Sequence, residues 1–334
     1  MKKSVAIVAC SNGLGHVRRC LLLSEEIIKL GLTPTLFAPI NKFKYLVKIL
    51  ELELLPKIIN FNSETSSLYY AEDKINELRI NLKDLSRFNL VISDNLIEIL
   101  DLRPDAIILG SFFWHKSLSN ISKYKYDMFE KLIFKNKPRV ISSELFAPDY
   151  ITEMRNFKSV GLFVAKNKIK KEFLNRKGIL ISPGTGGNAI SIVKNFIHEI
   201  RNIISFKNYV IFLDKSINFL CEDNNFVKAD FSKEMYSNLS CAIIRPGIGT
   251  ITDALYNGVK IYCIFEEQNL EMRNNFNKLH AAGLIENKRD FNEIIKSISE
   301  YTKDNLKIKA YLNKIKKLNF SGSSQTAKFI LKEL

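Results

Sequence analysis

The chain has 334 residues, 46% of them hydrophobic, and a formal net charge of +15. A chain of this length is too long for a single hydrophobic core, which predicts two domains. The apolar runs all stay well below the ~20 residues of a membrane-spanning helix. The basic charge would suit nucleic acid, acidic lipid or phosphate-bearing substrates, but no RNP-type motif, zinc finger or helix-turn-helix signature accompanies it.

Short apolar strands alternate with helical patterns through the first half of the chain. Strands are predicted over 4–10, 33–39, 89–94, 106–111 and 139–144, with helices at about 17–30 and after residue 40. Because these strands are nearly all apolar, they are expected to be buried on both faces of a parallel sheet. The pattern pauses over 150–177, which we interpret as the linker.

The alternation restarts at residue 178 with GILISPGTGG. Further strands are predicted at 209–214 and 261–266, and a strand with its glycine turn at 241–250. A helix is predicted at about 188–204, and a terminal helix with Ser323 or Ser324 as its N-cap. This order predicts an α/β protein with two doubly wound, Rossmann-like domains facing a cleft. We place the N-terminal domain at 1–160 and the C-terminal domain at 161–322.

Three glycine-containing turns follow strands, at 11–19, 182–188 and 245–250. In open α/β sheets, ligands bind beyond the carboxyl ends of the strands, where the next helix presents free N–H groups. A phosphate is the natural ligand of such a turn, and a tight strand-to-helix loop is the alternative interpretation. SPGTGG is not a Walker A motif, and SNGLGH lacks the third glycine of a dinucleotide fingerprint.

His16 lies in the first of these turns, at the start of a helix and beside Arg18 and Arg19. The helix N-terminus and the two cations favour a neutral imidazole, which is a competent general base near neutral pH. A histidine that merely caps the helix is the alternative. Asp94 and His115 also follow strands and are predicted to face the same cleft.

The stretch RPGIGTITDAL, 245–255, is the most informative of the three. Its glycines allow backbone amides to approach a diphosphate, and Thr250 and Thr252 add hydroxyl groups. Asp253 lies one turn into the helix, where a carboxylate reaches a ribose diol or serves only as a helix-start acid. The segment EEQNLEMRNNFNKLHAAGLI, 266–285, offers acids and amides that bind sugar hydroxyls or form a solvated helix start.

The five cysteines are scattered, odd in number and mostly within apolar runs, and the four histidines lie far apart. This spacing predicts reduced, buried thiols and no metal site. No cofactor is expected either. The apolar part of MKKSVAIVAC is too short for a secretory signal, so a cytoplasmic protein is expected. The basic amphipathic stretch 41–58 suits an acidic membrane surface, or is an ordinary packed helix.

Four motifs together resemble the GT-B glycosyltransferases. They are GLGHVRR at the first strand, SPGTGG at the second domain, RPGIGTITDALYNGV, and the acidic segment EEQNLEMRNNFNKLHAAG. Within that family the chain is similar to the branch that contains the UDP-GlcNAc transferase forming lipid II, and to the UDP-sugar hydrolase of pseudaminic acid synthesis. The motifs cover nearly the whole chain in the family's order.

The resemblance implies an inverting, metal-independent transferase with His16 as catalytic base. The terminal helix 323–334 would pack back on the first domain. The N-terminal domain would bind a hydroxyl acceptor of a cell-surface or lipid-linked glycan, through Gly13, Gly15, Arg18, Asp94 and His115. The C-terminal domain would bind the nucleotide sugar, expected to be UDP-linked, through Gly184, Thr185, Gly186, Arg245, Gly247, Ile248, Gly249, Thr250, Asp253, Glu267, Gln268, Glu271 and Asn274.

The chain also departs from the family pattern. Asp253 stands where the lipid II transferase has Glu, and Arg273 and Asn274 replace its pair of glutamines, so the donor sugar stays open. A nucleotide-sugar hydrolase that activates water is the alternative activity. A basic nucleic-acid-binding protein that only shares the fold is the alternative of another class, although no nucleic-acid partner is expected. Peripheral association with the inner face of the membrane would accompany a lipid-linked acceptor.

Overall fold

The computed structural model describes residues 3–62, 82–117, 121–166, 172–184, 190, 193–194, 196–197, 200, 207–217 and 225–334. The chain divides into two compact units, Met1–Phe163 together with Asn319–Leu334, and Val164–Leu318. The N-terminal unit thus extends slightly beyond residue 160. Each unit is a parallel sheet flanked by helices.

The described part of the N-terminal unit forms a seven-stranded sheet in the order β3-β2-β1-β4-β5-β6-β7, with all neighbouring strands parallel. Its strands are β1 Ser4–Ala9, β2 Thr33–Ala38, β3 Lys57–Asn60, β4 Leu90–Asp94, β5 Ile107–Leu109, β6 Val140–Ser143 and β7 Phe157–Val160. Its helices are α1 Gly15–Lys29, α2 Ile40–Leu50, α3 Ile99–Leu102, α4 Trp114–Ser117, α5 Lys123–Asn136 and α6 Asp149–Thr152, with a 3-10 turn at Lys83–Arg87.

The central strands explain this arrangement. β4 is buried along its whole length and β1 along all but its first residue, as expected for strands covered by helices on both faces. α1 turns an apolar stripe that includes Val17 and Leu21 toward the sheet, and it ends before Gly31, whose φ of 84° only glycine adopts readily. On the other face of the sheet, the hydrophobic core contains Val8, Phe129 and neighbouring apolar side chains.

The described part of the C-terminal unit forms a five-stranded parallel sheet in the order β10-β9-β8-β11-β12. Its strands are β8 Gly178–Ser182, β9 Val210–Leu213, β10 Phe226–Lys228, β11 Leu239–Ile244 and β12 Lys260–Cys263. Its helices are α7 Lys233–Asn238, α8 Ile248–Tyr256, α9 Leu270–Ala281, α10 Phe291–Tyr301 and α11 Asn305–Ile315, with a 3-10 turn at Phe173–Asn175. The helix predicted over 188–204 falls largely outside the described residues.

The terminal helix α12, Gly322–Glu333, belongs to the N-terminal unit and packs on α1. A Cβ atom at Gly322 would lie 2.2 Å from the carbonyl oxygen of Gly161, so only glycine allows this approach. Neither Ser323 nor Ser324 is the N-cap. Ser321 occupies that position without a side-chain capping bond, and the Gly322 N–H at the start of the helix donates to the Leu162 carbonyl at 3.0 Å.

Three strands were absent from the sequence prediction, namely β3, β7 and β10. All three are sheet edges whose residues are mostly half-buried or exposed, so they lack the continuous apolar run of a central strand. The predicted linker over 150–177 is therefore wrong in its first part, where β7 completes the N-terminal sheet. No described helix is both long and apolar enough to cross a bilayer.

Candidate active site

The N-terminal sheet reverses its direction of strand addition between β1 and β4. Ala9 is in register with Asp94, and the Cys10 N–H donates to the Asp94 carbonyl at 3.2 Å. The loop after β1 turns through Gly13, whose φ is 70°, before α1 begins at Gly15. The first turn of α1 and the last residue of β4 therefore meet at the topological switch point, the usual ligand position of such sheets.

His16 and Asp94 form the centre of this site. The His16 Nδ1 lies 2.6 Å from the Asp94 Oδ1, and Asp94 is fully buried whereas the His16 side chain is 13% exposed. Arg19 donates to both carboxylate oxygens, from Nε to Oδ2 and from Nη2 to Oδ1, each at 2.7 Å. The carboxylate thus sits behind the imidazole and is clamped by a bidentate guanidinium.

The charge of Asp94 follows from these contacts. Burial raises the pKa of its carboxyl group, but the Arg19 guanidinium and the His16 imidazole offset burial, so the pKa lies below its ordinary value. The Cys20 Sγ adds a weak donor 3.5 Å from Oδ2. The carboxylate remains ionised near neutral pH and favours the His16 tautomer that carries its proton on Nδ1.

That tautomer leaves a lone pair on the His16 Nε2. Within the described part of the chain, the contacts of His16 are those of Nδ1 with Asp94 and Arg19 and a ring contact with Trp114. The two ring centroids are 6.0 Å apart, and the planes are tilted by 48°. An imidazole oriented in this way is able to accept a proton at Nε2.

Two of the predicted acceptor-side residues do not join this cluster. Arg18 is buried and donates from Nη1 to the Phe163 carbonyl at 3.3 Å. His115 is also buried, and its Nε2 lies 2.7 Å from the Glu130 Oε1. Burial lowers the His115 pKa despite that carboxylate. Gly13 and Gly15 shape the turn itself.

Sequence reasoning named Arg19 only as a cation beside His16, and it did not single out Trp114 or Asn95. Arg19 is three residues after His16 on a helix, so the two side chains share a helix face. This spacing could have identified Arg19 as part of the site. Trp114 and Asn95 follow strand ends but belong to no motif. Asp94 was predicted to face the same cleft as His16, but the spacing in the sequence does not reveal that the two side chains are in direct contact.

The C-terminal sheet reverses its order between β8 and β11, where two turns leave neighbouring strands. The Arg245 N–H donates to the Ser182 carbonyl at 3.0 Å. Gly184 has a φ of 69°, and the Arg245 side chain packs beside it, 3.6 Å from the position of an added Cβ. Thr185 and Gly186 lie outside the described residues.

The turn after β11 leads into the N-terminus of α8. Gly247 is its N-cap, no side chain caps the helix, and residues 247–250 are partly exposed. The buried Asn275 holds this turn by donating from Nδ2 to the Pro246 carbonyl at 3.0 Å. These N–H groups and the helix dipole form an anion-binding end. Thr252 does not contribute as expected, because it is buried and its hydroxyl donates to the Gly249 carbonyl.

Asp253 is largely buried, and its Oδ1 accepts a hydrogen bond from the Ala165 N–H at 3.2 Å. The predicted ribose-binding carboxylate thus also holds the segment that begins this unit. A carboxylate can accept several hydrogen bonds at once.

The residues of the acidic segment lie in different environments. Glu267 forms an ion pair with Arg289, and Gln268 is exposed. Glu271 and Asn274 are half-buried in the first part of α9. The predicted sugar contacts thus lie in the loop after β12 and in the first part of α9. No group of three potential metal-ligating side chains occurs among the described residues.

The chain matches no protein-family model and no curated protein at the level of sequence. Solved structures match it along its whole length. The glycotransferase of kitacinnamycin is 13% identical with a TM-score of 0.69, and LpCGTa, solved in complex with UDP, is 12% identical with a TM-score of 0.68; each match covers 100% of this chain and 99% of the other. MurG from Acinetobacter baumannii is 12% identical, with 99% of both chains covered and a TM-score of 0.62.

These identities are too low to transfer an activity, but the TM-scores over the whole chain establish the fold. The chain has the two-domain α/β architecture of the GT-B glycosyltransferases, which confirms the fold class expected from the four motifs.

Proposed function

We propose that this chain is an inverting glycosyltransferase that moves a sugar from a nucleoside diphosphate sugar, UDP-linked by expectation, to a hydroxyl acceptor. The observation that carries the proposal is the 2.6 Å contact of the His16 Nδ1 with the buried Asp94 carboxylate at the switch point of the N-terminal sheet. A base oriented in this way suits the activation of a hydroxyl group.

In the proposed reaction, the His16 Nε2 takes the proton of the acceptor hydroxyl. The acceptor oxygen forms a bond to the anomeric carbon as the bond from that carbon to the diphosphate oxygen breaks, and the electron pair leaves with the diphosphate. Asp94 stabilises the imidazolium and Arg19 keeps Asp94 in place. Attack from the face opposite to the leaving group inverts the anomeric configuration.

The C-terminal unit would hold the donor. The uncapped N-terminus of α8, Gly247 to Thr250, would bind the diphosphate with backbone N–H groups, and its dipole would stabilise the charge that develops on departure. Arg245, at the start of the same turn, adds a cation. Because these groups supply positive charge, we propose a reaction that needs no divalent ion.

Asp253 would contact the ribose while retaining its bond to the Ala165 N–H. Glu271 and Asn274 would contact the donor sugar, with Glu267 and Gln268 at its margin and the 184–186 turn beside the phosphates. The UDP held by LpCGTa, which shares this fold, supports a diphosphate ligand.

The proposed acceptor belongs to a cell-surface or lipid-linked glycan pathway. The protein would associate peripherally with an acidic membrane face. Three apolar side chains in and after α2, those of Ile40, Leu54 and Leu55, are exposed, and α2 also carries lysines. Exposed apolar groups beside cations suit anionic lipid. Nucleic acid is not proposed as a partner.

Calorimetric binding of UDP, GDP, CDP, TDP and CMP tests the donor site. We expect one diphosphate to bind in the micromolar range, to lose affinity in Asp253→Ala and to keep it in His16→Ala. No binding by any of the five would remove the main support for the proposal. Nucleoside diphosphate released from the matching sugar donor at full turnover without acceptor would indicate the hydrolase instead.

A further inference from the structure

Arg245 and Glu266 face each other at the carboxyl ends of β11 and β12. The two strands are parallel neighbours, with Ile244 in register with Cys263, so both residues follow strand ends at the same edge of the C-terminal sheet. The Arg245 Nε lies 3.5 Å from the Glu266 Oε2, and the two side chains are 17% and 16% exposed. This contact joins the cation of the proposed diphosphate turn to a carboxylate outside the residues proposed to bind the donor.

The backbone fixes both members of this pair. The Arg245 N–H donates to the Ser182 carbonyl at 3.0 Å, and the Arg245 Cδ lies 3.6 Å from the position that an added Cβ would take at Gly184. The Glu266 carbonyl accepts a hydrogen bond at 3.0 Å from the N–H of Asn269, the N-cap of α9. The pair thus links the glycine turn after β8 with the loop before α9.

The pair is looser than the contact between Arg19 and Asp94. Arg19 donates to both carboxylate oxygens of Asp94, each at 2.7 Å. The Arg245 Nε, in contrast, has no hydrogen-bond partner among the described residues, so Glu266 attracts the guanidinium by charge alone. Within the described part of the chain this is the only ion pair of Arg245, and it lies at the Nε edge. The edge formed by Nη1 and Nη2 is therefore left for two oxygens of a phosphate.

Glu266 also places a negative charge beside a site proposed for a polyanion. The Arg245 Nε and the Glu266 Oε2 are both shielded from water, so solvent screens their charges less than those of an exposed pair. Near neutral pH a free nucleoside diphosphate carries about one more negative charge than its sugar conjugate, because its terminal phosphate ionises a second time at a pKa near 6. A carboxylate in this position repels the free diphosphate more strongly than the sugar donor.

We infer that Glu266 is a positioning residue of the donor site. It holds the Arg245 guanidinium at the Nε edge, turns the Nη1–Nη2 edge to the phosphates, and weakens the binding of the free nucleoside diphosphate relative to that of the donor. The site then distinguishes donor from product by charge, which favours product release after transfer. This inference rests on the proposed function and adds a residue that controls the affinity of the same site.

Calorimetry with Glu266→Gln tests the inference. Glutamine keeps the size of the side chain and an oxygen that accepts from the Nε–H, but it removes the charge. The probes are UDP, GDP, CDP and TDP, each compared with its glucose conjugate. For the base that binds, Glu266→Gln should bind both probes more tightly, and the ratio of the conjugate Kd to the free diphosphate Kd should rise about two- to fivefold.

Two results would overturn the inference. An unchanged ratio would show that the charge of Glu266 does not act on the ligand. Weaker binding of the conjugate, with unchanged binding of the free diphosphate, would assign Glu266 to a direct sugar contact instead.

Three further variants separate charge from structure. Glu266→Asp keeps the charge and should keep the wild-type ratio. Glu293→Gln removes a negative charge from an exposed position of the same unit, and as the matched control it should leave both Kd values unchanged. Arg245→Lys keeps the positive charge but lacks the planar fork, so it should raise both Kd values about tenfold. Wild-type affinities in Arg245→Lys would contradict phosphate binding by the Nη1–Nη2 edge.

Product inhibition provides a kinetic readout that a merely structural role would not change. With the responding donor, Glu266→Gln should lower the inhibition constant of the nucleoside diphosphate more than it lowers the donor KM. If a diphosphate binds to wild type but its affinity relative to the conjugate is the same in Glu266→Gln, this inference alone fails. If no diphosphate binds to wild type, the proposed function fails and this inference fails with it.

Discussion

The His16 Nδ1 lies 2.6 Å from the Asp94 Oδ1, although the two residues are 78 positions apart in the sequence. The parallel pairing of β1 with β4, in which Ala9 is in register with Asp94, produces this contact. A shift of that register by one residue would turn the Asp94 side chain to the opposite face of the sheet. The orientation of the His16 imidazole thus depends on the register in which β1 and β4 pair.

Replacement of Asp94 by Asn is expected to lower kcat about 10²–10⁴-fold, because an amide does not enforce the Nδ1–H tautomer or stabilise an imidazolium. Nucleotide affinity should remain unchanged. The measurement is steady-state transfer with the identified donor, alongside circular dichroism to verify folding. Asp101→Asn, at an exposed position on α3, is the matched control. Activity of Asp94→Asn within a few-fold of wild type would exclude the orienting role.

Gly247→Ala should weaken diphosphate binding about tenfold while leaving the free protein's stability almost unchanged. Gly247 has a φ of −75°, and within the described part of the structure an added Cβ meets only the Arg245 carbonyl oxygen, at 4.0 Å, so the fold should tolerate a methyl group that would obstruct an anion. Calorimetry and thermal melting measure the two effects.

Gly258→Ala is the matched control and should show the reverse pattern. Gly258 has a φ of 75°, and an added Cβ would lie 2.8 Å from the Leu312 Cδ2, so a loss of about 1–3 kcal/mol of stability is expected. Its nucleotide affinity should be that of wild type. Equal affinities in Gly247→Ala and Gly258→Ala would argue against binding at α8.

The His115 environment predicts a pH dependence of stability. Burial lowers the His115 pKa in the folded state below its ordinary value of 6.5, so its contribution is complete above pH 6.5 and is lost as pH falls through the folded-state pKa. His115→Phe, which keeps a ring among Phe113, Tyr126 and Phe129, should reduce the decline in unfolding free energy between pH 7 and pH 5. Chemical denaturation at several pH values tests this, and parallel curves for both proteins would refute it.

Glu286 holds a buried cation in the C-terminal unit. The Lys260 Nζ lies 3.0 Å from the Glu286 Oε1 and 4.9 Å from the centre of the Tyr311 ring. Burial opposes ionisation of Glu286, but Lys288 and Lys260 outweigh it and lower the pKa of the carboxyl group to about 2.

Glu286→Gln should therefore destabilise the protein at neutral pH, since the ammonium loses its carboxylate. The difference from wild type should be complete above the ordinary pKa of 4.5 and vanish as pH falls toward about 2. Glu293→Gln, at an exposed position, is the control in the same denaturation series. An unchanged difference at acid pH would contradict the charge-based explanation.

The sequence predicted the central strands of both sheets because burial on both faces leaves continuous apolar runs such as VAIVA and CAII. It did not predict β3, β7 or β10, whose exposed edges carry mixed residues. The stretch 41–58 was interpreted as one amphipathic segment, whereas α2 ends at Leu50 and β3 begins at Lys57.

The candidate site was predictable to the extent that residues follow strand ends, as His16 and Asp94 do. Their direct contact depends on the strand order and on the register of β1 with β4, and a single sequence specifies neither. Arg18 and Arg19 are adjacent in the sequence, which does not show which of them contacts Asp94. On the helix, Arg19 donates to Asp94 and Arg18 donates to the Phe163 carbonyl.

Release of nucleoside diphosphate from a panel of nucleotide sugars, with methyl glycosides as acceptors, tests the central claim most directly. We predict that wild type releases one diphosphate at turnover and forms a product of inverted anomeric configuration by NMR. His16→Ala should bind the same donor and lose about 10²–10⁴-fold in rate. Release by His16→Ala at the wild-type rate, or no release from any donor, would contradict the account.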